Sequence, residues 1–111
     1  MKYCEVVELP TFQAQASALL TDEELEALIT DIATNPIQGA VMPGTGGLRK
    51  TRFGRGDSGK SGGVRVIFYY WHDEKPVFLL LIYAKGRKET LSASEKTTLK
   101  KLTKSLRDEY E

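Results

Sequence analysis

Two apolar runs, Val64–Trp71 and Val77–Tyr83, are separated by the turn sequence Asp73-Glu74-Lys75 and by Pro76. Both are rich in β-branched and aromatic residues, so both are read as strands. So short a connection leaves them only an antiparallel pairing. In the first run Val64, Val66, Phe68 and Tyr70 fall on one face, with Arg65, Ile67 and Tyr69 on the other. The second run contains Phe78-Leu79-Leu80-Leu81-Ile82, which does not alternate, so a strand covered on both faces is expected. A third strand is expected at Leu48–Phe53, joined to the first run by Gly54–Gly63 (GRGDSGKSGG).

The ends of these strands collect cations. Residues 1–46 carry one Lys or Arg against seven Asp or Glu, residues 47–88 carry ten against three, and residues 89–111 carry five of each. The net charge of +1 therefore hides an acidic first half and a basic centre. A local basic cluster in a nearly neutral chain points to one anion-binding site rather than to general adhesion to nucleic acid. The competing explanation is that strand-edge cations serve solubility.

Helices are expected on either side of the strands. Tyr3–Leu9 reads as a first strand ended by Pro10, and Thr11–Leu20 as a short helix with Phe12, Ala16 and Leu19 on one side. Thr21-Asp22-Glu23-Glu24 is a capping box, with Leu20 and Leu25 as its hydrophobic staple. Leu25, Leu28, Ile29 and Ile32 recur at helical spacing until Asn35-Pro36 stops the helix. Pro36–Gly47 has two prolines and four glycines and is read as a surface loop. Ser92-Ala93-Ser94-Glu95 is a second capping box, and Leu99, Leu102 and Leu106 mark a C-terminal helix running to about Asp108. The expected fold is α+β: a compact, mainly antiparallel sheet of about four strands, two N-terminal helices and one C-terminal helix. At 111 residues the chain makes one domain, 1–111.

Other classes find little support. No apolar run approaches the length of a membrane span. The first residues, MKYCEVVELP, carry acids within the apolar part and are not read as a signal peptide. The one cysteine, Cys4, is expected as a small buried hydrophobe, which fits a reduced, cytoplasmic setting. Cys4 and His72 do not make a metal site, and no cofactor is expected. Residues 54–61 match the phosphate-loop pattern GxxxxGK[ST]. That motif needs a helix after the loop, whereas Gly62-Gly63 and Val64–Tyr70 begin a strand. Nucleotide binding is set aside, and the segment is read as a hairpin connection.

Two functions suit a basic sheet: cleavage of RNA, or binding alone. Metal-free cleavage requires deprotonation of a 2′-hydroxyl, stabilisation of charge on phosphorus, and protonation of the leaving 5′-oxygen. Arginine suits the second task, since its fork holds phosphate through two hydrogen bonds. Lysine transfers protons when neighbouring cations lower its pKa. Lys50, Arg52, Arg65 and Lys85 are candidates for such a cluster, with Lys50 and Arg52 two apart on one strand face. His72, the only histidine, lies near a turn and is read as structural or exposed.

The strand Leu48–Phe53 (LRKTRF), the segment Ser61–Ile67 (SGGVRVI) and the ending Tyr83-Ala84-Lys85 together resemble the RelE/HigB superfamily of bacterial toxins from type II toxin–antitoxin systems. The order of elements agrees over essentially the whole chain, and the glycine-rich connection with the "YAK" ending is most similar to the HigB-like branch. The resemblance implies a compact microbial RNase fold. It implies metal-independent cleavage of messenger RNA in the ribosomal decoding site, and a cognate antitoxin, in that branch often a helix-turn-helix HigA-like protein. By position, Lys50, Arg52 and Arg65 match the family's phosphate-binding and catalytic residues, and Lys85 its basic group after the last strand. Arg49, Arg55, Lys60, Arg87 and Lys88 are then further contacts for the RNA backbone. The family's tyrosine after the last strand has no counterpart, because Glu89-Thr90-Leu91-Ser92 holds no aromatic; Tyr69 and Tyr83 are alternatives for stacking on a base, or simply parts of the sheet. ParE-like toxins share the fold but act on DNA gyrase and generally lack the full basic set. Lys50, Arg52 and Arg65 projecting onto one surface favours cleavage, whereas Arg65 turned to the core against an acid favours a structural role.

Overall fold

The computed structural model describes residues 5–54, 63–84, 86 and 91–110. Cys4 and the connection 55–62 lie outside them, as do Lys85 and residues 87–90. The elements run β1 (Val6–Glu8), α1 (Pro10–Leu19), α2 (Asp22–Thr34), β2 (Ala40–Val41), β3 (Arg49–Phe53), β4 (Val64–Tyr69), β5 (Val77–Ala84) and α3 (Ala93–Tyr110). One five-stranded sheet has the order β1-β5-β4-β3-β2. It is antiparallel except for β1, which runs parallel to β5. The fold is α+β, as the local patterns imply, with one strand more than expected.

That extra strand is β2, within the segment read as a surface loop. The segment is tied down along its length. Thr51 Oγ1 donates to Gln38 Oε1 at 2.9 Å, and Arg49 donates to the Ile37 carbonyl at 2.9 Å. Thr45 is fully buried; its hydroxyl donates to the Met42 carbonyl and accepts from the Leu48 amide. Its carbonyl accepts from the hydroxyl of Thr103 on α3. The turn residues do exclude a helix, but the polar side chains among them satisfy buried backbone groups instead of facing water.

Pro10 both ends the strand and opens α1, at a helix position where its missing N–H costs nothing. Both capping boxes of the later helices form as the sequence implies. Thr21 accepts from the Glu24 amide while Glu24 accepts from the Thr21 amide, and Ser92 and Glu95 exchange the same pair of bonds. α3 runs on to Tyr110, two residues past its expected end.

The sheet separates two apolar layers. On one side Val64, Val66, Phe68, Val77, Leu79 and Ile82 meet Phe12 and Ala16 of α1 and Leu28 and Ile32 of α2. On the other, Leu48, Ile67, Tyr69, Phe78 and Leu80 meet Leu91 and, on α3, Leu99 and Leu106. A register shift explains why β5 does not alternate: Phe68 pairs with Leu79, but the preceding Ile67 pairs with Leu81. Leu80 is the extra residue of a bulge. Val77 and Leu79 therefore face the same side as Ile82, and Leu80 and Leu81 both pack on the α3 side. Beyond β1 the outer edge of β5 is closed by α1, where Gln15 Oε1 accepts from the Ile82 amide at 3.1 Å.

Candidate nucleic-acid interface

The register of the sheet decides which cations stand together. Lys50 pairs with Ile67, and Arg52 with Arg65. Arg65 in turn pairs with Tyr83 on β5. Directly paired residues share a face, and Ile67 and Tyr83 both pack on the α3 side. Lys50, Arg52 and Arg65 therefore occupy one face, the face that carries α3. Arg52, Arg65 and Tyr83 form a row across three strands, and Lys50 lies two residues, about 7 Å, along β3 from Arg52.

The same strands extend past the part that α3 covers. Ile67, Tyr69, Phe78 and Leu80 lie under α3, while the arginine row is displaced toward the β3–β4 hairpin end. Arg52 is exposed, and Lys50 and Arg65 are half-buried. One guanidinium nitrogen of Arg65, Nη1, is buried without a hydrogen-bond partner. Among the described residues no acid is ion-paired with Arg52 or Arg65; the Lys104–Asp108 pair lies on the exposed surface of α3. A buried, unanswered guanidinium N–H is costly in the absence of an anion and is a ready donor when one arrives.

The hairpin that carries the row depends on Gly63. A Cβ there would stand 2.1 Å from the Phe53 carbonyl oxygen, so only glycine allows β3 and β4 to stay paired up to Phe53 and Val64. The glycine-rich connection leads into strand β4, as expected from Gly62-Gly63 and the valines, and not into the helix a phosphate loop requires.

Several expected residues stand elsewhere. Arg49 lies on the opposite face, alternating with Lys50, and its guanidinium is held by the Ile37 carbonyl. Lys85, Arg55, Lys60, Arg87 and Lys88 lie outside the described residues. Tyr69 is a core residue, 2% exposed, stacked on Trp71 at 5.4 Å between ring centroids. Burial pushes its hydroxyl above the ordinary tyrosine pKa, partly offset by the positive charge of Arg107. Tyr110 packs edge-on against Phe78. Phe78 pairs with Tyr69, at the end of β4 remote from Arg65, so Tyr110 does not reach the arginine row. His72 is exposed, and its Nδ1 accepts from the Glu74 amide at 3.0 Å.

Sequence reasoning missed the neighbourhood of Lys50. One hollow is lined by Gly39, Ala40, Lys50, Thr51 and Arg52. A second, lined by Ala40, Val41, Met42, Pro43, Lys50, Leu91 and Lys96, shares Ala40 and Lys50 with it. The signal available was the second capping box, which places Leu91 and Lys96 around the start of α3, but not where that start docks.

Among the described residues no helix is long and apolar enough to cross a membrane. Residues 7–111 match the family described as the RelE toxin of the RelE/RelB toxin–antitoxin system. The match runs from β1 to the end of the chain and so takes in every element that builds the basic face. The chain thus belongs to the RelE family of toxins, proteins of toxin–antitoxin systems whose partner is a cognate antitoxin.

Proposed function

We propose that this toxin is a metal-independent endoribonuclease that cleaves translated messenger RNA in the ribosomal A site. The observation that carries the reading is the shared face of Lys50, Arg52 and Arg65, with one buried Arg65 nitrogen left unpartnered. A pentavalent phosphorus gains negative charge on its non-bridging oxygens as the 2′-oxygen attacks. Donors already aimed at that position stabilise the charge without reorganising. Arg65 takes this role, because its guanidinium is partly desolvated and no acid is ion-paired with it among the described residues. Arg52, exposed and directly opposite, holds the phosphate from the other side. Lys50 or Arg52 activates the attacking 2′-hydroxyl, and Lys85 serves the leaving oxygen or the RNA backbone. The cations on residues 55–60 and 87–88 bring the RNA in by charge and add no sequence preference of their own. In this reading the protein acts in the cytoplasm, and a HigA-like helix-turn-helix antitoxin either covers the basic face or blocks ribosome entry from elsewhere.

The test is induction of the wild type and of Arg65→Ala in bacteria, with mapping of transcript 5′ ends. Cuts inside translated codons are expected, and they vanish with Arg65→Ala or when the start codon is blocked. Growth arrest with intact messages and an induced DNA-damage response would instead indicate a gyrase poison of the same fold.

A further inference from the structure

The basic face does not end at Lys50. Beyond it the surface drops into a hollow of about 330 Å³ between β2 and the start of α3. The floor and walls are Ala40, Val41, Met42, Pro43 and Leu91, and among the described residues the only polar side chains in the lining are Lys50 and Lys96. Ala40 is exposed and pairs with Lys50, so the two share the face on which the recess opens. The adjoining hollow shares Ala40 and Lys50 and reaches Arg52. Through Ala40 and Lys50 the apolar recess thus adjoins the hollow that Arg52 lines.

We propose that this recess is the subsite for the nucleobase adjoining the scissile phosphate, so that Ala40, Met42, Pro43 and Lys96 set which sequences the toxin cuts. The inference rests on the ribonuclease reading and deepens it. Its argument is chemical complementarity. A nucleotide is a flat, largely apolar ring tied to an anion. The recess offers apolar surface and two cations at its rim, and among the described residues its lining holds no acid. Its volume lies near the lower end of the range of small-ligand sites, roughly 300–1,000 Å³, which suits a single base rather than a folded oligonucleotide. A phosphate held by Arg52 and Arg65 with its neighbour near Lys50 leads the attached base toward Met42. Lys96 closes the far side from the first turns of α3.

The recess is also held in shape independently of RNA. Thr45 and Thr103 pin the loop that carries Met42 and Pro43 to α3, and Val41 and Ala40 are paired to β3. A subsite built on paired strand and helix positions discriminates better than one on an untethered loop.

The experiment uses the full chain in a ribosome-dependent cleavage reaction on transcripts randomised around the codon. Ala40→Trp, at an exposed position paired with Lys50, fills the recess, and Lys96→Glu reverses its rim charge. Glu26→Lys, on the far face of α2, is the control. Expected is a base preference in the wild type that Ala40→Trp and Lys96→Glu change by roughly ten- to a hundredfold in the ratio of preferred to disfavoured bases. The control keeps the wild-type pattern. In a second measurement, a methyl-labelled Met42 is titrated with a dinucleotide carrying a 2′-deoxy group at the cleavage position. Its signal should move with the dinucleotide and not with inorganic phosphate alone. Wild-type cleavage with an unchanged base pattern in both variants, or a Met42 methyl indifferent to the dinucleotide, overturns the subsite and leaves the ribonuclease reading standing. A wild type that cuts no RNA removes both.

Discussion

Arg52 and Arg65 stand directly opposite one another across β3 and β4. Sheets ordinarily place apolar pairs or opposite charges at such positions, and like charges there are destabilising. The added burial of an unpartnered Arg65 nitrogen makes the arrangement more costly still. An anion between the two guanidinium groups answers both problems. Arg65→Met keeps the stem and removes the charge, so it should stabilise the free protein by about 0.5–1 kcal/mol. The same change should lower cleavage by about 10²–10³-fold, the usual loss of one donor to a developing oxyanion. Urea midpoints with and without added phosphate check the first part, because phosphate should raise the wild-type midpoint more than the variant's. A variant no more stable than the wild type would count against strain at this pair.

The acidic side chains of α2 lie on the other side of the molecule. α2 packs on the layer opposite the basic face, and Glu23, Glu26 and Asp31 line its outer surface. Glu23→Lys and Glu26→Lys should therefore leave cleavage of translated messages intact, and stability within about 0.5 kcal/mol of the wild type. A large loss of cleavage would place the ribosome against α2 instead.

Gly46 sits where α3 meets the loop that shapes the recess. Its φ is +81°, and a Cβ would lie 2.5 Å from Thr103 Oγ1. Gly46→Ala should cost ~1–3 kcal/mol, from the left-handed backbone together with displacement of the Thr45–Thr103 hydrogen bond. Because Met42 and Pro43 ride on this loop, base preference should weaken along with stability. Thr103→Val, which removes the bond without the clash, should show a smaller loss of both in thermal unfolding and transcript mapping.

Tyr69 makes stability depend on pH in the alkaline range. Burial raises its pKa above the 10.0 of the free side chain, so the folded protein holds the proton where the unfolded chain has begun to release it. Above about pH 10 the unfolded state binds fewer protons, and stability falls as pH rises. Below that pH both states keep the proton and the contribution is fully present. Tyr69→Phe should flatten this part of the curve. The check is the difference in urea midpoint between wild type and variant from pH 8 to 11, which should shrink as pH rises because only the wild type loses stability through this group.

Local chemistry is legible where one segment decides it. Thr21 and Glu24, and Ser92 and Glu95, cap their helices through side chains that need only their own backbone. The alternation of Val64, Val66 and Phe68 against Arg65, Ile67 and Tyr69 is likewise a property of one strand, and the two layers keep it. Lys50 and Arg52 share a face for the same reason. The segment 36–47 is harder to read. Its glycines and prolines signal turns, but a turn signal does not say whether the turn will be buried, and Thr45 is.

The sequence by itself determined the α+β class, the caps, the main strands and the cations that β3 and β4 carry, because each depends on periods of two or 3.6 residues within a short stretch. Only the tertiary structure decided how those stretches are registered. The parallel placement of β1, the bulge at Leu80 and the alignment of Arg52, Arg65 and Tyr83 arise from pairings between segments distant in the chain. A shift of one residue between β3 and β4 would turn a cation from the α3 face into the opposite layer. The recess beside Lys50 is wholly of this kind. Met42 and Leu91 meet there because β2 pairs with β3 and α3 packs on the same face, and the free energy that selects this arrangement comes from burying both apolar layers together.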